Sequence, residues 1–125
     1  MTLLQAIRQF IKDRPYLADP KRCWCQCDYA TIRFIEFAKQ HGITELKGYC
    51  FELSSCKNPA PQVYQLGVHP IVKESMCDWH CIVEAPDFYI DFTVRQYKHT
   101  ARHPYIIRKV TKRNRAFKFA TGGNK

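Results

Sequence analysis

The sequence predicts one α+β domain in which a central, buried helix packs against an antiparallel β-sheet. Three observations carry this. Apolar residues recur at helical spacing only before Gly42; after it the period shifts toward two. Turn residues then divide the chain into short strands with no helical pattern between them. Helices first and strands after is the order of a helix-on-sheet domain, and 125 residues suffice for one core but not two.

The first helix covers residues 1–14. Thr2 caps it, and Leu3, Leu4, Ile7, Phe10 and Ile11 make its apolar stripe. Pro15 closes it by pushing Arg14 out of helical geometry, and "PYLADPKRCWCQ" (15–26) reads as an irregular loop. A second helix runs from Cys27 to Gln40. Ala30, Phe34, Phe37 and Ala38 form its stripe, which Ile32 and Ile35 widen until the helix is apolar nearly all round. His41 and Gly42 end it. Strands are expected over 43–54, 62–68, 77–84 and 88–94, with "RHPYIIRKV" as a last short strand. Thus 22–108 forms the core and 109–125 a basic tail, in a single domain.

Charge is distributed unevenly. Residues 1–94 hold ten Lys and Arg against eleven Asp and Glu; residues 95–125 hold ten Lys and Arg and no acid. The excess suits an acidic protein partner or nucleic acid, with Arg108, Lys109, Lys112, Arg113 and Arg115 as the contacting cations. A solvated tail is the plain alternative. No apolar run is long enough to span a membrane, so no membrane association is expected. The first residues lack an export signal, which points to the cytoplasm. In that reducing compartment the seven cysteines are expected to be free thiols.

The stretch "DWHCIVEAPDFYIDFTVRQY" (78–97) carries the chemistry. Ala85-Pro86-Asp87-Phe88 suits a type I turn, since proline already has the required φ at its second position. That turn pairs Glu84 with Tyr89 and Val83 with Ile90. Trp79, Cys81, Val83, Ile90, Phe92 and Val94 then share an apolar face, while His80 and Asp91 become diagonal neighbours on the polar one. A carboxylate there orients the imidazole and fixes its tautomer. The nucleophile such a pair would serve is Cys27. It opens the second helix, where unpaired N–H groups favour a thiolate and one N–H is left for an oxyanion.

A cysteine opening a buried helix, then a strand histidine, then an aspartate on the next strand resembles the papain-like and transglutaminase-like cysteine hydrolases. The similarity is to their small bacterial and phage-type members. It rests on "CDYATIRFIEFAKQHGI", "DWHCIVE" and "YIDFTVRQY" followed by "HPYII". It implies a papain-like or transglutaminase-like core and a catalytic triad of Cys27, His80 and Asp91. The implied activity is that of a thiol protease, isopeptidase, deamidase or acyltransferase passing through a thioester, on a protein or peptide substrate and without a cofactor. Relatives often place a side-chain amide a few residues before the cysteine. Here the second oxyanion donor stays open between Gln26 and a backbone N–H of 22–26. Trp79 is a packing residue or a wall beside His80.

Two non-catalytic readings stand beside this one. Cys23, Cys25 and Cys27 with Cys77, His80 and Cys81 supply enough ligands for a structural zinc site. Against it, C-x-C is a poor bite for a tetrahedral ion, and a strand sends Cys77 and His80 to opposite faces. In the other reading the fold is a binding module whose basic end holds nucleic acid, with Tyr97, Tyr105, Phe117 and Phe119 stacking on bases. His41, His69, His99 and His103 show no partner spacing.

Overall fold

A computed structural model describes residues 1–52 and 79–109. Among them it has two helices, α1 (Leu3–Asp13) and α2 (Cys27–Gln40), and four strands. These are β1 (Lys47–Glu52), β2 (Trp79–Glu84), β3 (Phe88–Asp91) and β4 (Tyr105–Arg108), in spatial order β1-β2-β3-β4 with every neighbouring pair antiparallel. The expected strand at 62–68 lies outside the described residues.

α1 begins on a capping box. Thr2 accepts from the Gln5 N–H, and the Gln5 side chain accepts from the Thr2 N–H, so two helix-end donors are satisfied together. Ala6, Ile7 and Phe10 are buried, whereas Leu4, placed in the stripe from spacing, is exposed. α2 buries Cys27, Ala30, Thr31, Phe34 and Ala38 but exposes Ile32, so it is covered on one side and not all round. Gly42 adopts φ +82°, a left-handed conformation in which a Cβ would be strained, and Ile43 N–H returns to the Ala38 carbonyl. That turn consumes the residues after the helix. It is why β1 starts at Lys47 and not at residue 43.

The hairpin has the register expected from its turn: Val83 faces Ile90 and Glu84 faces Tyr89, with the Ala85 N–H closing onto the Phe88 carbonyl at 2.8 Å. Two expectations fail past that point. β3 stops at Asp91, because the Asp91 carboxylate takes the Thr93 N–H at 2.8 Å and bends the chain into a 3₁₀ turn, Val94–Gln96. Val94 therefore leaves the apolar face of Ile90 and Phe92. The polar face is also not open to water, since His80, Asp91 and Thr93 are all buried.

Alternation sends Val83 and Ile82 to opposite faces, and each face has its own core. The helix side gathers Ala6, Ile7, Phe10, Leu17, Phe34, Val83, Ile90 and Phe92. The rings of Phe10, Phe34 and Phe92 form its centre, with centroids 4.8–5.2 Å apart. The far side gathers Phe51, Ile82, Val94, Tyr97 and Ala101. Folding the 94–101 segment back over the sheet is what buries the second face.

Phe34 is fully buried between Phe10 and Phe92. Phe34→Ala is expected to lower unfolding stability by about 3–5 kcal/mol in urea denaturation. A loss below about 1 kcal/mol would contradict this packing.

Candidate active site

The loop before α2 is held by the turn after β3. Arg95 reaches out from that turn, donating from Nε to the Ala101 carbonyl at 2.9 Å and from a terminal nitrogen to the Ala18 carbonyl at 3.0 Å. Beside it, the buried Gln96 accepts the Cys25 N–H at 3.2 Å and donates to Thr93 Oγ1 at 3.0 Å. Cys25 sits at φ 59°, a conformation costing an L-residue about 1–2 kcal/mol. The bond from Gln96 helps hold it there. The kink sets where α2 starts, and so where Cys27 stands.

His80 enters from β2 with its ring fully buried, edge-on to Phe51 and Tyr97. Its Nε2 lies 2.8 Å from Asp91 Oδ2. With Asp91 ionised, its carboxylate only accepts, Nε2 carries the proton and the neutral ring keeps its lone pair on Nδ1. The Gln96 amide nitrogen stands 3.5 Å from that Nδ1. Asp91 Oδ1 meanwhile accepts the Thr93 N–H. Burial lowers the His80 pKa, against the raising effect of the Cys27 thiolate. Burial likewise pushes Asp91 well up, while the Thr93 N–H pulls it down.

Cys27 is buried at the N-terminus of α2. Its thiol is brought down to about 5, first by the Cys81 thiol and further by the His80 imidazole, against the opposing effect of burial. Cys81 pays the complementary role of proton holder: Cys27, burial, then Cys50 and Asp28 all push it far up. Cys50 is its partner directly across the ladder. Cys23, facing the Pro20 and Thr93 carbonyls at 3.8 and 4.0 Å, is pushed up to about 11 by burial.

The backbone donors of the pre-helix loop are all engaged. Arg22 N–H donates to Asp19 Oδ1, Cys23 to the Asp19 carbonyl, Trp24 to Lys21, Cys25 to Gln96 Oε1 and Gln26 to Cys23. A backbone oxyanion donor from 22–26 is thereby removed from consideration. What remains is the half-exposed Gln26 side chain, which makes no cap bond, together with the Cys27 N–H, a first-turn donor with no intrahelical acceptor. Trp79 is exposed and, by strand alternation, on the face of Cys81 rather than that of His80.

Of the cysteines grouped for a zinc site, Cys25 is exposed, Cys23 turns to backbone carbonyls, and Cys77 lies outside the described residues. Among the described residues the donor atoms that converge belong instead to Cys27, Asp28 and Cys81, all within 4.8 Å of one another. Among the tail cations, Lys109 pairs with Glu84 and lies over Tyr89. The exposed Arg108 lies over Phe88. Lys112, Arg113 and Arg115 lie outside the described residues. His103, which shows no partner spacing in the sequence, bonds the Phe92 carbonyl at 2.9 Å, and burial lowers its pKa. Gln96 and Asp28 stand out by no signal in the sequence, and Cys81 only as a candidate zinc ligand. Gln96 lies in the quoted "VRQY", but nothing in its spacing marks it as buried.

No family model, curated protein or solved structure matches the chain.

With its thiol at about 5, Cys27 should alkylate with iodoacetamide at a rate that rises through about pH 5 and is level by neutral pH, while Cys23 stays unmodified. Cys81→Ala removes the largest lowering influence and should move that midpoint upward. A wild-type midpoint in the ordinary thiol range, read by peptide mass spectrometry, would contradict this arrangement.

Proposed function

We propose that the chain is a cysteine-dependent hydrolase or acyltransferase of papain-like or transglutaminase-like type, acting on an amide through Cys27, His80 and Asp91. The observation that carries the reading is the fully buried His80, fixed by Asp91 at 2.8 Å and set against a thiol at a helix N-terminus.

In this mechanism His80 Nδ1 holds the proton given up by Cys27, and Asp91 keeps the ring aligned from Nε2 and stabilises the imidazolium. The Cys27 sulfur attacks the substrate carbonyl, forming a C–S bond as the π electrons move to oxygen. The Cys27 N–H and the Gln26 amide meet that oxyanion at the positive end of α2. The oxyanion collapses, the C–N bond breaks, and the leaving amine takes the proton from His80. Water or a second amine then attacks the thioester, with His80 again the base. Water gives peptide cleavage or deamidation; an amine gives acyl transfer. The exposed Trp79, on the Cys81 face of β2, suits an apolar wall for the substrate. The basic segment from Arg95 onward docks an acidic partner.

Support comes from chemistry that packing alone does not require. A fully buried histidine and aspartate are costly unless paired, and their pairing fixes the imidazole beside the Cys27 thiol.

Activated-ester turnover tests the reading, with the acyl group trapped on the Cys27 peptide after acid quench. Cys27→Ala should leave no acylated peptide, and His80→Ala should lower kcat/KM by about 10³-fold or more. Asp91→Asn should lower it by about 10²-fold or more, with KM little changed. Acylation spread over several cysteines, or turnover that survives Cys27→Ala, would refute it.

A further inference from the structure

The cluster around Cys27 contains two groups that take no bond-forming or proton-transfer step in the hydrolase mechanism. Asp28, exposed in the first turn of α2, places Oδ1 3.4 Å from Cys27 Sγ. Cys81, buried on β2, brings a second sulfur, and the three donor atoms lie within 4.8 Å of one another.

A tetrahedral zinc ion has bonds of about 2.3 Å to sulfur and about 2.0 Å to oxygen, which spaces a sulfur and an oxygen ligand about 3.5 Å apart and two sulfurs about 3.8 Å apart. The Cys27–Asp28 distance is already close to the first of these. We propose that Cys27, Asp28 and Cys81 form a zinc site, with a water from solvent in the fourth position.

Two sulfurs and one carboxylate select a borderline-soft divalent ion over magnesium or calcium. The ion displaces the Cys81 proton to solvent, as coordination deprotonates a thiol. Three anionic ligands outweigh the roughly half unit of positive charge at the start of a helix. Exposure of Asp28 leaves the ion a route from solvent. The site stands on ligand geometry. Only its consequence, reversible masking of the nucleophile, rests on the hydrolase reading.

The test uses the full chain and Co²⁺ as the probe, read by thiolate-to-metal absorption and the visible bands of tetrahedral cobalt. Wild type should bind one equivalent that Zn²⁺ displaces. Cys81→Ser and Asp28→Asn should each weaken binding at least tenfold, and Cys25→Ser, at an exposed thiol outside the cluster, should change it less than twofold. Asp28→Asn alters an exposed side chain and remains informative if Cys81→Ser does not fold. One equivalent of Zn²⁺ should also protect Cys27 from iodoacetamide while Cys25 still reacts. Wild-type cobalt affinity in both Asp28→Asn and Cys81→Ser, or unprotected Cys27, would overturn the site. Metal binding without ester turnover would count against the hydrolase alone, and turnover without metal binding against the zinc site alone.

Discussion

The Asp91 carboxylate holds two parts of the structure together. One oxygen takes the His80 Nε2 at 2.8 Å; the other takes the Thr93 N–H at the same distance. The first contact orients a fully buried histidine. The second ends β3 and turns the chain into Val94–Gln96, from which Arg95 and Gln96 reach across to the loop before α2. The residue that positions the imidazole thus also helps position the helix whose first residue is Cys27. A buried carboxylate without such partners would be strongly destabilising. Here both oxygens are used.

Three cysteines of one chain are driven to different acidities by their surroundings alone. Burial beside backbone carbonyls raises Cys23 to about 11. Cys27, also buried, falls to about 5, because Cys81 and His80 favour its thiolate more than burial opposes it. Cys81 is forced up as the complement of that arrangement. The helix N-terminus contributes in the same sense as the two neighbours. Placing a thiolate at the first turn of α2 also puts its charge next to the donors that would meet an oxyanion, so one location serves both needs.

The hairpin was legible in the sequence because two independent signals agreed. Pro86 specified the turn, and alternation specified the faces, which together brought His80 and Asp91 to one side. Cys27 was legible from the helix start that follows an irregular loop. Other features were not, for identifiable reasons. Alternation is blind to a side chain that competes for a backbone N–H, so β3 was extended past Asp91 to include Val94. It is also blind to a segment folding back over a sheet, so it marks the face of His80 as polar without reporting that the face is covered. Burial of Gln96 and the approach of Cys81 to Cys27 arise from contacts between elements distant in the chain. No local pattern reports those.

Ultraviolet absorbance as a function of pH reads directly whether Cys27 carries a thiolate that depends on His80. The wild type should show a step near 5 that is missing from Cys27→Ala and displaced to higher pH in His80→Ala. A single step in the ordinary thiol range, the same in wild type and His80→Ala, would contradict the account.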